Sequence, residues 1–559
     1  MRLAPTVTLL LLLGPLLAGL AGTLAPALGV FPALGGTRPS LAPLHALLAW
    51  PGLVPASRLS LTTGLVATAL SLAVTTLIMA GWSNTAAFRW MERALSPLLS
   101  VPHAAAAFGI AFLIAPSGWI ARALSPWLTG WTQPPDLLIV QDPWGMAMVM
   151  GLVAKEVPFL LLMTMAALPQ TMPRRSLTVA QALGYCRVTG WLKAVFPQVY
   201  PRIRLPIYAV LAYSMSVVDV AIILGPNTPA PLAVQVVRWM GDPDLSMRFI
   251  ASGAAVLQLL LVLAAIGLWR MGEMLVACLG RLWIDRGGRG HLDPLLALAG
   301  AGAAGLSAAG ILFGLAGLAL WSVAGFWGFP DALPDRLSLD GWARHGPMLA
   351  DPATETIVIA AAATLLALAL TLACLEAEHR FGLTPGTRSL WLLYLPLLIP
   401  QIAFLPGLQT LALLVGAETG RGAVILGHVV FVLPYVFLSL AGPFRGWDRR
   451  YATVAAAMGV TQNRTFWQIR LPMLLAPVLT AAAVGIAVSV GQYLPTLLLG
   501  AGRVQTLTTE AVALASGGDR RVIGLFALAQ TGMVMLGFAL AIGLPRLVWA
   551  NRHALRGTA

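Results

Sequence analysis

Only two lysines, Lys155 and Lys193, occur among 559 residues, and charged residues of all kinds make up 10% of the chain. Soluble domains carry about a quarter, so a shortage of this size excludes an ordinary water-soluble fold. Neither lysine stands in a Gly-x-x-x-x-Gly-Lys-(Ser/Thr) sequence. The phosphate-cradling loop of P-loop nucleotidases is therefore missing, and any nucleotide of that class would bind another subunit. Cysteine is scarce as well. Cys186, Cys278 and Cys374 have no metal-ligand spacing, which excludes a disulfide framework or a zinc site as the organising feature. No nucleophile triad and no paired catalytic acid and base can be picked out. No catalysis of bond chemistry, no metal and no cofactor is expected.

What the chain does have is apolar sequence: 58% of its residues are hydrophobic and the mean hydropathy is +0.83. Runs of about 20 residues, the length that crosses a bilayer as a helix, fall near 5–30, 60–80, 98–116, 144–168, 205–225 and 249–271. They recur near 296–324, 355–375, 390–415, 422–441, 474–499 and 523–545. The first run lies behind Arg2 and is read as a retained span rather than a cleaved leader, because more apolar chain follows. The fold class is thus all-α and polytopic, with about twelve transmembrane helices. Six spans per half is an even number, so the halves share one orientation as a parallel repeat.

A formal net charge of +14 would suit nucleic acid, but the basic residues are scattered between apolar runs and form no patch interleaved with aromatics. The lipid bilayer, not nucleic acid, is the expected partner. Of the 35 basic residues, 23 fall on segments of one side and 11 on the other, with Lys155 inside a span. The positive-inside rule puts the richer side, and both termini, in the cytoplasm. The Arg-Gly-rich stretch 285–294 divides a first half, 1–284, from a second, 295–559. A Pro- and Asp-rich segment at 329–353 becomes an outside loop.

Duplication shows most clearly in one stretch present twice. Residues 178–197 read TVAQALGYCRVTGWLKAVFP and residues 453–472 read TVAAAMGVTQNRTFWQIRLP. Gly184 and Gly459 are 275 positions apart, as are Pro197 and Pro472. A chance match would not keep both the heptapeptide and the Gly-to-Pro spacing. Thr178 and Thr453 suit helix N-caps, with Gln181 completing a capping box in the first copy. Gly184 and Gly459 suit the left-handed position that ends a helix. A second short helix, anchored by Trp191 and Phe196 or by Phe466 and Trp467, runs to a proline that opens the next segment. The expected form is helix, glycine, helix.

This spacing resembles the coupling loop of membrane subunits of binding-protein-dependent ATP-binding-cassette importers, in their fused two-halves form. The family pattern is Glu-Ala-Ala, three residues, Gly, then a Pro beyond; here Thr178-Val179-Ala180 and Thr453-Val454-Ala455 take the first three positions, so both copies lack the acidic residue. The resemblance implies a type I importer permease in a bacterial inner membrane. Two ATPase subunits would dock on the loops, and a periplasmic binding protein would deliver a small solute. Similar fused permeases carry ferric iron, thiamine and other solutes.

Polar residues inside the spans are the remaining candidates, because an ionised group at mid-membrane costs about 2.5–3.5 kcal/mol on insertion scales unless it faces protein or water. Lys155 and Glu156 fall midway along the fourth span. Adjacent residues on a helix point about 100° apart, so each needs its own partner, and Asp219 in the fifth span is the nearest for Lys155. Gln492 lies in the matching eleventh span. Asp219, Gln492, Lys155 and Glu156 are therefore candidates for the translocation path, or else interhelical hydrogen-bonding groups. His428 reads as a satisfied buried histidine. Lys155, Glu156 and Asp219 would equally serve an ion-coupled secondary transporter with parallel repeats, although that reading gives no reason for twin loops of one spacing.

Overall fold

The computed structural model describes residues 2–171, 173–383, 386–417 and 419–549, and the description does not extend to the side chains of 93, 94, 96, 97, 170 and 387–390. Arg552 and Arg556 of the charge tally lie outside the described residues, as do the side chains of Arg93 and Arg388. Among the described residues the regular structure is helical, apart from two isolated β-bridges.

Among the described residues nine helices are long and apolar enough to cross a bilayer, and the number is eleven if each of two bent pairs is one span. A twelfth expected span, the fifth, is the helix Phe196–Ser216 followed by Asp219–Leu224. Its first nine residues carry Pro197, Pro201, Arg202 and Arg204, so it enters the apolar layer only beyond them.

Four of the expected spans are broken rather than continuous. Proline sets two of the breaks: Ala86–Ser100 gives way to His103–Ile114 at Pro102, and Trp391–Leu398 meets Gln401–Leu414 at Pro400 with an 86° bend. A residue before proline is pushed out of the helical region, which stops the preceding helix. The fifth and eleventh spans break at equivalent places, so that Asp219–Leu224 and Leu494–Gly500 begin 275 positions apart. Each break frees a carbonyl that lipid could not satisfy. A buried glutamine from the last span of the same half answers it, with Gln258 donating to Met215 O at 2.9 Å and Gln530 to Val490 O at 3.4 Å. The expected outside loop is also shorter than the sequence suggests, because a helix begins within it at Asp340 and runs to Phe381.

The repeat is visible in the helix ends. The fourth and tenth spans, Met146–Ala167 and Arg421–Arg445, start 275 positions apart, as do Leu232–Met240 and Leu507–Ala513. Ser60 Oγ accepts the Leu232 N–H and Thr356 Oγ1 the Leu507 N–H, both at 3.0 Å, so one hydroxyl role is filled twice.

The first helix of each half packs mainly on the other half. Ala4–Ala27 lies along Gln401–Leu414, and Asp293–Val323 lies against Leu53–Trp82 and His103–Ile114. Small residues allow the backbones to approach where lipid gives no hydrophobic drive. Gly109 and Gly314 face each other so closely that a Cβ on either would stand 2.8 Å from the other's carbonyl carbon. A valine there overpacks the crossing at a cost of about 1–3 kcal/mol. Gly109→Val should lower the thermal midpoint in detergent and the amount of protein in the membrane. Gly310→Val, at a glycine with open space around it, should do neither. Equal behaviour of the two variants would contradict this account of the contact.

Candidate functional site

Both copies of the repeated stretch form helix, glycine, helix. The first is Pro173–Ala182, Gly184 at φ +83°, then Arg187–Ala194; the second is Arg450–Ala457, Gly459 at φ +75°, then Gln462–Thr465. The closing hydrogen bonds match. Gly184 N–H donates to Gln181 O and Tyr185 N–H to Ala180 O, while Gly459 N–H donates to Ala456 O and Val460 N–H to Ala455 O. This pair of hydrogen bonds is the glycine-ended helix stop that needs a left-handed residue. Pro197 lies in the first turn of the helix Phe196–Ser216 and Pro472 in the short turn Leu471–Met473.

Thr178 and Thr453 are not N-caps. Both helices start earlier, so each threonine sits inside and turns its hydroxyl back on its own helix, Thr178 to Arg174 O at 2.9 Å and Thr453 to Arg449 O at 3.4 Å. Pro173, a favoured opening residue, starts the first. Asp448 starts the second by accepting the Arg450 N–H at 2.9 Å, a bond that holds its carboxylate below the usual range. The capping box with Gln181 falls with the cap. Of the expected anchors, Trp191 and its equivalent Phe466 are buried, Phe196 is half-buried and Trp467 is exposed. Phe466–Arg470 form a single π-helical turn that the first copy lacks.

The outward faces of the two loops match in register. Ala180 and Ala455 are buried. Val179 and Val454 are 53% and 58% exposed, and Leu183 and Met458 62% and 75%. Each pair is 275 positions apart. Thr178 and Thr453 are exposed beside them. On the second loop Tyr451, Val454, Met458 and Ile469 line a shallow groove of about 470 Å³.

The inner faces are held differently. Asp293 receives Thr189 Oγ1 at 2.6 Å and Thr189 N–H at 2.9 Å, Arg289 O receives Cys186 N–H at 2.9 Å, and Lys193 Nζ donates to Trp283 O and Gly288 O, both at 2.9 Å. The stretch expected to be a mere linker thus braces the first loop. In the second, the buried Arg470 guanidinium donates to Glu376, lies over Trp447 at 4.3 Å, and shares Glu376 with Arg380 at 2.6 Å. Sequence gave no sign of this ion pair, whose members are 94 positions apart.

Between the halves the structure gathers the candidate polar residues, but not in the expected pairs. Lys155 does not meet Asp219. Its ammonium donates to Leu98 O at 3.0 Å and Val101 O at 2.6 Å, the carbonyls left open where Ala86–Ser100 ends, a favourable place for a cation. Glu156 lies 3.7 Å from His103 Nε2, and the His103 ring packs on Tyr213 with centroids 5.0 Å apart. Asp219 opens its short helix within electrostatic range of His103. Residues of the second half complete the surroundings, with Tyr435 within range of Glu156 and Tyr493 within range of Asp219. Gln492, in the break of the eleventh span, accepts from Gln401 Nε2 at 3.2 Å. His103 and Gln401 were missed from sequence. Each follows the proline that breaks its span, Pro102 and Pro400, and that shared position is the signal that would have found them. His428 is fully satisfied by Ser489 at 2.8 Å and Thr496 at 2.9 Å.

Comparison with known proteins decides among transporter classes. Residues 368–548 match the family described as "Binding-protein-dependent transport system inner membrane component". Over 558 residues the chain is 33% identical to the inner membrane ABC transporter permease protein YnjC of Escherichia coli, covering 98% of each chain. The chain belongs to the binding-protein-dependent ABC transporter permease family. It is a multi-pass inner-membrane permease subunit of an ABC importer, and a transporter subunit rather than an enzyme. The permease is also similar to the molybdenum transport system permease protein ModB of Mycobacterium tuberculosis, 29% identical over 179 residues that cover 29% of this chain and 68% of that one. It shares 24% identity over 162 residues with the spermidine/putrescine transport system permease protein PotC of Haemophilus influenzae, covering 29% and 62%.

Proposed function

We propose that the two loops are the cytoplasmic docking sites of two ATPase subunits, one on each, and that a soluble binding protein delivers a small solute from the opposite side. The observation that carries this reading is the repeated exposed apolar pair, Val179 with Leu183 and Val454 with Met458. Apolar side chains left in water at one register on both loops are what two copies of one partner would cover. Thr178 and Thr453 take the place of the family's acidic residue, so docking rests on apolar contact rather than on a salt bridge. The halves divide at 285–294, and that segment serves the first loop as a brace. Closure of the ATPases moves the loops as rigid bodies and tilts the spans that begin at Pro197 and Pro472. The solute passes along the seam, past Glu156, Asp219 and Gln492, while Lys155 fixes the helix end beside it. The permease itself is similar to the ferric iron and thiamine permease group.

The orientation has a direct test. With the loops and both termini inside, cysteines placed in 329–339 should react with a membrane-impermeant maleimide added to intact cells from which the outer membrane has been removed. Cysteines in 446–461 should react only after lysis. Outside labelling of 446–461 would refute the orientation and the docking proposal with it.

A further inference from the structure

The two halves differ at the end of the bundle away from the loops. The helix Leu53–Trp82 meets the first loop where it ends, since Ser83 O accepts from the Arg187 guanidinium, so its opening turns lie at the opposite end. There, with the start of Met146–Ala167, it forms a groove of about 690 Å³ walled by Leu59, Thr63, Val66, Met146 and Val149. Every lining residue belongs to the first half, which sets the groove apart from the seam. Arg58 and Trp144 also line it, and both are exposed. In the second half an ion pair occupies the same place. Met146 and Arg421 start helices 275 positions apart, and Leu59 and Glu355 each stand one residue before the matched hydroxyls of Ser60 and Thr356. Arg421 Nε and Nη2 donate to the two oxygens of Glu355 at 2.8 and 2.6 Å. In the first half both of those partners are apolar. The cation there is Arg58, whose guanidinium has no hydrogen bond, ion pair or ring contact among the described residues.

From Arg58 an exposed stripe continues in four-residue steps through Thr62, Val66 and Leu70, one face of a helix. At the rise of an α-helix, Arg58 to Leu70 is about 18 Å, close to the depth of one leaflet of a hydrocarbon core about 30 Å thick. Trp144, 73% exposed beside the groove, is the kind of ring that settles at the headgroup level. A guanidinium takes a phosphate through two parallel N–H bonds. The groove thus pairs a phosphate-binding cation with an apolar track of leaflet depth, which a soluble anion would leave uncovered. We propose that it holds an anionic phospholipid, with the phosphate on Arg58 and one acyl chain along Val66 and Leu70. The lipid supplies the negative charge that Glu355 supplies in the other half.

The test places the full-length permease in nanodiscs of phosphatidylcholine that contain a trace of phosphatidylglycerol or of phosphatidylcholine, each with a diazirine on one acyl chain. After illumination, labelled peptides covering 55–70 and 143–150 are quantified by mass spectrometry. Phosphatidylglycerol should label them at least about fivefold more than phosphatidylcholine, the effect of one arginine beside an anionic headgroup. Arg58→Gln should bring that ratio down towards one, and Arg58→Lys should keep most of it. Folding is not at stake, because the Arg58 side chain is exposed and bonds to nothing within the chain. Arg38→Gln, at an exposed arginine outside the groove, should leave the ratio unchanged. Excess glycerol phosphate, which has the headgroup chemistry without the chains, should not compete. Equal labelling by the two lipids, or an excess that survives Arg58→Gln, would show ordinary bilayer contact and overturn the proposal. Competition by glycerol phosphate would make the ligand a free anion, and absence of label from both lipids would show that the groove does not face the bilayer; either result also overturns it.

Discussion

Glu376→Ala is expected to cost the folded permease about 3–5 kcal/mol and to abolish transport, because removing one member of a buried pair leaves the other charge uncompensated. Glu376 and Arg470 are each 2% exposed. Glu376 is the carboxylate that both Arg470 and Arg380 address, and Arg470 sits at the end of the π-helical turn that carries the second loop into the eleventh span. Without the carboxylate the Arg470 guanidinium keeps, among the described residues, the faces of Trp447 and Phe444. The double variant Glu376→Leu with Arg470→Met removes both charges and keeps the volume, so it should be closer to wild type in thermal midpoint than either single change. Thermal unfolding in detergent, with uptake measured in cells, checks both parts. A Glu376→Ala protein as stable as wild type would show that the pair is not what holds this loop. Among the described residues the first loop has no such buried pair, and it should be insensitive to Glu376. Its counterpart variant is Asp293→Ala, which strips the acceptor from Thr189.

Long-range pairs of this kind are what the sequence concealed. Helix count, the parallel repeat and the two glycine-ended loops were legible because each rests on local chemistry: apolar runs of membrane length, a 275-residue offset, and a glycine where the chain must turn left-handed. Thr178 and Thr453 misled because a threonine before an alanine-rich turn suits an N-cap, yet Pro173 and Asp448 offer earlier starts that bring more residues into each helix. Lys155 was expected on Asp219 by charge alone. The break at Pro102, which could be placed from sequence, creates open carbonyls that compete for the ammonium without any opposite charge, and they win. His103 escaped notice because an isolated histidine in an alanine-rich run reads as core, and only the fold sets it beside Glu156 and Tyr213. The brace between Thr189 and Asp293 spans 104 positions, across what composition marks as a flexible linker.

Docking on the loops makes the second large prediction. Leu183 and Met458 are the most exposed apolar side chains of the two matched pairs, and covering such a side chain contributes about 1.5–3 kcal/mol. An aspartate at either place loses that contribution and must also be desolvated, so each loop should bind its ATPase at least about tenfold more weakly, and the double variant should lose uptake. Folding is not at stake, because both side chains stand in water in the permease alone. Gln181→Ala, on the same exposed helix but off the matched register, serves as the control. The decisive measurement is the amount of ATPase that co-purifies with Leu183→Asp, Met458→Asp and the double variant from membranes holding equal permease. Retention should fall in each single variant and vanish in the double one, with the control unchanged; full retention of ATPase by the double variant would contradict the assignment of these loops as the site of coupling.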